Sequence, residues 1–209
     1  MGVRQSIRPI RKNDPQGLRA RVLDMAADLF QVRGYFATSM QDLMQEAQVS
    51  GGALHHHFAS KKVLAMAVIR ERIAPTVRET WINPLRAAPS LQRAIADVFT
   101  GIVAGAAIRG RIAGCPLNNI ALELALSDAD FREAINAVFA EWQAALAERI
   151  GATRGGIRLS RSKRRDAATF IITAYSGAMT LAKTSQSAAP LRSVAGALAR
   201  WMRSCGFVR

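Results

Sequence analysis

The sequence contains few cysteines, few aromatic residues and few acidic residues. Two cysteines, Cys115 and Cys205, in a chain of 209 residues are too few for a small secreted domain held together by disulfides. Aromatic residues make up only 6% of the chain, and 15 acidic residues face 29 lysines and arginines, which gives a net charge of +14. A charge of this size points to a polyanionic partner, either nucleic acid or an anionic membrane surface.

The chain also has no apolar run long enough to predict a membrane span. Its N-terminal segment carries Arg4, Arg8, Arg11 and Lys12 without an apolar stretch behind them, which argues against a signal peptide. The longest weakly polar run, 167–182, includes threonine, serine, tyrosine and glycine and is too short to cross a bilayer. We therefore expect a cytoplasmic protein that does not enter a membrane.

Alternation of apolar and polar residues, the pattern of β-strands, is missing as well, and helical spacing takes its place. The first apolar stripe with this spacing covers 18–30, and similar stripes predict an all-α fold of about nine helices. Pro75 predicts a bend or an end in the fourth helix. A linker is expected at 83–90, which holds Pro84 and Pro89.

Two short helices joined by a tight turn carry the functional signal. The interval between Ala47 and Ser50 is too short for an antiparallel helix pair but suits two helices that cross steeply, as in a helix-turn-helix. The second of them, Gly51 to His57, is unusually polar for its length and could face a DNA major groove. We expect a DNA-binding domain at 1–60, including a basic arm, and a larger helical domain for ligand binding and dimerisation at 61–209.

Residues 34–43 (GYFATSMQDL) and 47–61 (AQVSGGALHHHFASK) closely resemble the DNA-binding signature of the TetR family of repressors. The match covers about 45 residues and is highly specific, and the rest of the chain agrees with the family in length and helicity but not in any family-wide motif. The resemblance implies three N-terminal helices, a linking fourth helix and a C-terminal ligand-binding domain. It also implies a homodimer built from the last two helices, and repression that a small-molecule effector relieves.

Several residues are predicted to contact a palindromic DNA operator. Helix N-termini offer free N–H groups to phosphates, and two such termini lie at 38–39 and 60–62. In the family, the positions that match Thr38, Ser39, His56 and Lys61 hold phosphates, whereas Gly51, His55 and Lys62 depart from the residues usual there. The predicted DNA-contacting set is Thr38, Ser39, Gly51, Gly52, His55, His56 and Lys61.

Metal binding and catalysis find little support in the sequence. Successive residues of a helix point about 100° apart, so His55, His56 and His57 cannot converge on one ion. Neither a nucleophile elbow, a phosphate loop nor a zinc-protease motif occurs, so we expect no enzyme activity, no cofactor and no metal. Cys115 opens a helix, where a thiol can gain reactivity, but an inert buried cysteine is the preferred interpretation.

The larger domain is predicted to hold both a ligand pocket and a dimer interface. Aromatic residues between helices suggest a pocket lined by Phe99, Trp142 and Tyr175. The eighth helix is apolar or small on more than one side, which predicts burial against its own domain and against a partner subunit. The predicted interface comprises Thr169, Ile172, Ser176, Gly177, Thr180, Ala197 and Trp201.

Two other functions stay open at this point. A chain with a charge of +14 would bind DNA even without sequence preference, as an architectural or coating protein does. An all-α enzyme with carboxylates or lysines at unmarked positions is the third possibility. For a regulator, the effector, the operator and the choice between repression and activation are also open.

Overall fold

The computed structural model describes residues 15–208, so the basic arm expected at 4–12 lies outside the described part. All regular secondary structure within 15–208 is helical, as predicted. In chain order the helices are α1 (Pro15–Val32), α2 (Met40–Ala47), α3 (Gly51–His57), α4 (61–87), α5 (Leu91–Arg109), α6 (Pro116–Leu124), α7 (Ala129–Gly151), α8 (Arg161–Ser185) and α9 (Ala189–Ser204). A single 3₁₀ turn, Gly156–Arg158, lies between α7 and α8. We call α1–α3 the head of the protein and α4–α9 its body.

Serine side chains begin several of these helices. Ser39, Ser50 and Ser60 have extended backbones, and each side chain accepts a hydrogen bond from the N–H three residues on. In α2 the arrangement is reciprocal, because the carboxylate of Asp42 also accepts the N–H of Ser39. Such caps satisfy backbone donors that a helix start leaves without partners, and they fix where the short head helices begin.

Helix α4 runs through both of its prolines, so the linker expected at 83–90 is wrong and only 88–90 connects α4 to α5. Two π turns interrupt its α-helical pieces, which in order are Lys61–Val68, Ile69–Ile73 (π), Ala74–Val77, Arg78–Ile82 (π) and Asn83–Ala87. The residue before each proline donates its N–H to the carbonyl five residues back. Pro75 and Pro84 then occupy the first turn of the next α-helical piece, where a missing N–H is tolerated.

One hydrophobic core joins the head to the body. It extends from Val22 and Leu23 in α1 to Phe207 after α9, and Trp81 and Trp142 are among its largest fully buried side chains. In the body, α8 packs on α7 and α9, α9 packs on α5, and α7 packs on α4 and α6. Because this core is continuous across the head–body junction, a movement of α4 displaces packed side chains in both the head and the body.

By length and composition, one described helix, α5, could cross a membrane. The weakly polar run at 167–182, which lies in α8, does not pass this test. Six side chains of α5 are buried in the core, among them Ile95, Val98 and Phe99. A core helix of a protein that is not membrane-embedded passes the same test of length and composition, so α5 is weak evidence for a membrane span.

Candidate functional site

A small set of buried side chains holds α2 and α3 in place. Leu43 of α2 and Leu54 of α3 are completely buried, and Phe58 directly after α3 is 1% exposed. Gln48 ends α2 in the left-handed conformation (φ 54°), and the N–H of Val49 reaches back to the carbonyl of Met44. The two helices are thus joined by the tight turn that the sequence predicted, with the apolar side of α3 fixed on the head.

The opposite side of α3 is open. Gly52, His55 and His56 are exposed, and Gly51 and His57 are half-buried. A Cβ added at Gly52 would meet no other atom within 4 Å, whereas one at Gly51 would come within 3.3 Å of the Met44 sulfur. Helix α3 therefore offers two imidazole rings and a stretch of bare backbone at the surface, which suits an approach to base edges.

The two hydroxyl residues before α2 differ from each other, and the prediction for Thr38 needs a correction. Thr38 is completely buried, and its hydroxyl donates to the carbonyl of Gly34 at 2.8 Å, so its side chain does not face a phosphate. Ser39 is exposed, but its hydroxyl donates to the Asp42 carboxylate at 2.6 Å. The hydroxyl and the backbone N–H of Ser39 both donate to the Asp42 carboxylate, and these two hydrogen bonds keep the pKa of Asp42 below its ordinary value.

Lys61 and Lys62 are neighbours with different surroundings. Nζ of Lys61 lies 4.2 Å from the centre of the Tyr35 ring, and burial lowers the pKa of this lysine. Nζ of Lys62 lies 2.7 Å from a carboxylate oxygen of Asp128 and also 2.7 Å from one of Asp130. Hydrogen bonds to these two carboxylates raise the pKa of Lys62 above its ordinary value. Lys61 remains available to a phosphate, whereas Lys62 already neutralises acids of the body.

Beyond α4, hydrogen bonds between described residues join the head to the body at two places, which we call joints. At the first, the Glu123 carboxylate accepts the N–H of Phe36 at 3.2 Å, and it lies so close to Gly34 (φ 90°) that a Cβ there would come within 2.7 Å of it. At the second, the side-chain amide of Gln31 in α1 donates to the carbonyls of Ala113 at 3.2 Å and Gly114 at 2.8 Å. The end of α1 is therefore tied to the loop between α5 and α6.

A cavity of about 610 Å³ lies beside the second joint. Its walls come from α1, α4, α5, the 110–115 loop, α6, α7 and α8, so the head and the body enclose it together. Its lining includes Gln31, Trp81, Arg109, Cys115, Trp142 and Tyr175. A pocket of this volume between helices is of the size that takes a small organic molecule.

Of the three residues predicted to line a pocket, two line this cavity. Trp142 and Tyr175 are in its wall, whereas Phe99 stands behind Tyr175, with ring centres 5.9 Å apart, and lines a separate groove between α5 and α9. The wall also includes Trp81 and two glycines of α5, Gly101 and Gly105, which are not among the predicted residues. Two glycines four residues apart inside a helix were a usable signal, because glycine is unfavourable there.

Cys115 does not have the reactive environment that its place at a helix start suggested. The thiol is buried beside Tyr175, and burial raises the pKa of Cys115. Burial also raises the pKa of the Tyr175 hydroxyl well above its ordinary value. Both groups therefore stay protonated at neutral pH, which agrees with the preferred interpretation of an inert cysteine.

The outer face of α8 and α9 carries most of the predicted dimer residues. Thr169, Gly177, Thr180 and Ala197 are exposed, and Ser176 and Trp201 are half-buried. Ile172 differs from these residues, because it is buried in the core of its own subunit. Two large apolar side chains of α8, Phe170 and Leu181, are 48% and 61% exposed. The Phe170 ring packs on Trp201 of α9, with ring centres 4.7 Å apart.

The histidine run does not form a metal site with its surroundings. His56 and His57 are edge-to-face neighbours, and their ring centres are 5.2 Å apart. Within 15–208, no group of three or more histidine, cysteine, aspartate or glutamate residues could hold an ion.

Comparisons with known proteins agree with this geometry. A family model described as bacterial regulatory proteins of the tetR family matches residues 22–68, and a model of the C-terminal domain of LmrA/YxaF-like transcriptional regulators matches 89–197. The transcriptional regulator LmrA of Bacillus subtilis (strain 168) is 25% identical over 83% of this chain and 90% of its own length. The transcriptional repressor DhaR of Mycobacterium sp. (strain GP1) is 26% identical over 83% of this chain and 86% of its own. A crystal structure of a TetR transcriptional regulator from Chloroflexus aurantiacus J-10-FL superimposes with a TM-score of 0.77 and 30% identity, and covers 90% of this chain and 96% of that one.

Proposed function

Because this chain belongs to the TetR family and is a helix-turn-helix transcriptional regulator rather than an enzyme, we propose that it represses transcription by binding a palindromic operator as a homodimer. A small molecule that enters the cavity releases it from the operator. Residues 1–60, which contain the head, read the DNA, and residues 61–209 bind the effector and the second subunit. We expect it to act in the cytoplasm.

One observation carries the DNA-binding part of the proposal. Leu54 fixes α3 to the head from its buried side, while His55 and His56 stand exposed on the other side. A recognition helix needs this division, because its position must be rigid while its outer side chains reach base edges. The two copies of α3 in the dimer would lie about 34–36 Å apart, so that they enter successive major grooves.

The release mechanism follows from the position of the cavity. Asp28, Gln31 and Val32 of α1 form part of its wall, so an effector would touch the head directly. A molecule that needs more room beside Gln31 shifts α1 relative to the 110–115 loop and changes the separation of the two α3 helices. A coupling of this kind is typically worth about 1–3 kcal/mol, or roughly a 5- to 150-fold loss of operator affinity.

Sequence preference is the measurement that tests the proposal. The purified full chain is used to select duplexes from a random pool, and the selected sequence is expected to be an inverted repeat. By fluorescence anisotropy at one fixed salt concentration, the repeat should bind about a thousandfold more tightly than a scrambled duplex of equal length. Equal affinity for both duplexes would replace the repressor by a non-specific DNA-coating protein.

Lys61 and Lys62 offer a matched pair of variants. Lys61→Ala is expected to weaken binding to the inverted repeat and to the scrambled duplex alike, because a phosphate contact carries no sequence information. The slope of log affinity against log salt should fall by about one unit. Lys62→Ala should leave this slope unchanged, since its amine is already paired with Asp128 and Asp130. An unaltered slope for Lys61→Ala would remove Lys61 from the phosphate contacts.

A further inference from the structure

The described part of the protein carries its positive charge in the body and not in the head. Between residues 15 and 60, three arginines face four acidic residues. The segment 149–165 holds seven lysines and arginines and no acidic residue. It comprises the end of α7, the α7–α8 loop and the beginning of α8. The densest run of basic residues in 15–208 therefore belongs to a part of the protein that does not read the operator.

This basic segment lies at the end of the body away from the head. Helix α7 begins beside the head, where Asp130 pairs with Lys62 and the Phe131 ring lies 5.7 Å from that of Tyr35. It then runs for 23 residues to Gly151, which at about 1.5 Å per residue is roughly 34 Å. A duplex on the exposed side of α3 is therefore separated from the basic segment by about the length of α7.

The α7–α8 loop within this segment is tightly packed. The buried Thr153 hydroxyl donates to the carbonyl of Ile150 at 2.7 Å and accepts the N–H of Gly156 at 3.1 Å. The N–H of Gly155 donates to the carbonyl of Gly206, beyond α9, at 2.7 Å. A Cβ at Gly155 or at Gly156 would collide with a neighbouring carbonyl oxygen. The loop therefore holds its charged side chains on a fixed frame.

Most cations of the segment are free to meet an anion. The two exceptions, Arg149 and Arg164, are half-buried and donate to backbone carbonyls. The other five are exposed, and none forms an ion pair with a residue in 15–208. We call these five the distal patch: Arg154, Arg158, Arg161, Lys163 and Arg165.

The distal patch is unfavourable for the free protein. Arg161 and Lys163 lie in the first turn of α8, where the helix carries a partial positive charge of its own. Arg161 and Arg165 are four residues apart on this helix, and like charges at this spacing repel each other. The flanking acids, Glu148 and Asp166, form no ion pair with any described residue that would offset the repulsion. A bound polyanion would relieve it.

The composition of the distal patch favours nucleic acid over a lipid surface. Four of its five cations are arginines, whose guanidinium groups hold phosphates through paired hydrogen bonds. Within 149–165, Ile157 is the one large apolar side chain that is exposed, at 67%. Segments that bind a membrane surface present a broad apolar face together with their cations.

From the unpaired cations, their fixed frame and their distance from the head, we propose that the distal patch binds the phosphate backbone of a second DNA duplex without sequence preference. In the proposed dimer both heads face the operator, so the two distal patches lie on the opposite side. One dimer then joins the operator to another segment of DNA. This bridging is an activity in addition to the reading of the operator by α3.

Capture of a second duplex by the operator-bound protein tests the proposal. The inverted repeat is immobilised, saturated with the full chain and washed, and a fluorescent duplex without the repeat is then added. The protein-loaded surface should retain this duplex, whereas the repeat alone should not. Retention should weaken as salt is added, because it depends on phosphate contacts. If the loaded surface retains no second duplex even at low salt, the proposal is overturned without any variant.

A triple variant removes charge from the distal patch. Arg154→Gln, Arg158→Gln and Arg165→Gln together should lower the affinity for the second duplex at least about tenfold and its salt slope by about two to three units, nearly one for each lost phosphate contact. Operator affinity, measured by anisotropy, should be unchanged. At about 0.1 M salt the Debye length is about 10 Å, much shorter than α7, so charges of the distal patch are screened from the heads.

The matched control removes three exposed cations elsewhere on the body, with the changes Arg70→Gln, Lys183→Gln and Arg192→Gln. It should retain the second duplex as the unaltered protein does. Equal retention by both triple variants would show that the distal patch is not the site. Vesicles of phosphatidylglycerol are offered in place of the second duplex, and retention of vesicles without retention of DNA would replace the duplex by a membrane surface. Operator preference is measured separately, so its failure and a failure of bridging are distinct results.

Discussion

Gly177→Arg is expected to convert the protein into a folded monomer that has lost roughly a thousandfold in operator affinity and binds the inverted repeat no better than a scrambled duplex. A Cβ at Gly177 would meet no other atom within 4 Å, so the single subunit has room for the larger side chain. The proposed interface has no room for this side chain, because Gly177 lies on the exposed face of α8 with Thr180, next to the exposed Leu181. One head alone reads one half-site and loses the gain from simultaneous binding of two.

Sedimentation velocity at micromolar concentration measures the change in assembly, and anisotropy with both duplexes measures the change in binding. Ala140→Arg is a suitable control, since it adds the same charge at an exposed position of α7. This variant should remain a dimer with unaltered operator preference. A Gly177→Arg protein that still sediments as a dimer would show that α8 is not the interface.

The second large effect is expected from filling the cavity. Gly101→Leu places a side chain into space that the structure leaves empty, and it replaces glycine inside a helix by a better helix former. The variant should gain about 1 kcal/mol in its free energy of unfolding. It should also lose about a hundredfold in affinity for any small molecule that fills this cavity in the unaltered protein, because the leucine side chain occupies part of the space that such a molecule needs.

Urea denaturation and isothermal titration report the two quantities separately. Ala104→Leu serves as the control, because Ala104 is exposed on the same helix and does not line the cavity. It should change neither quantity appreciably. Operator affinity without ligand should stay the same in both variants. A Gly101→Leu protein that binds such a molecule normally would place the ligand outside this cavity.

The order and type of the helices could be predicted from local sequence, because helical spacing and serine caps act within one or two turns. The same spacing did not reveal that α4 continues through Pro75 and Pro84, since the π turns before both prolines depend on packing along α4. Prolines usually mark helix ends, and here each falls in the first turn of a new α-helical piece.

The candidate sites could be predicted only where one helix carries them. His55 and His56 are exposed on α3 as expected. Thr38 was placed wrongly, because a threonine hydroxyl can also turn inwards to a carbonyl four residues back, a choice that burial decides. The rings of Trp81 and Tyr175 contact each other although 94 positions separate them in the chain, so no local pattern predicts this part of the cavity wall. The ion pair between Lys62 and Asp128 also joins residues that are far apart in sequence.

Under the proposed release mechanism, the wall that α1 contributes to the cavity makes DNA itself a regulator of ligand binding. Asp28, Gln31 and Val32 cannot move with the head without altering the space that a ligand enters. Because coupling between two sites is reciprocal, the operator weakens the ligand by the same factor by which the ligand weakens the operator. Each additional copy of the operator in a cell then draws protein into the form that binds the ligand poorly. The dose of inducer needed for half-maximal expression should consequently rise with the number of operators, even though every subunit is identical.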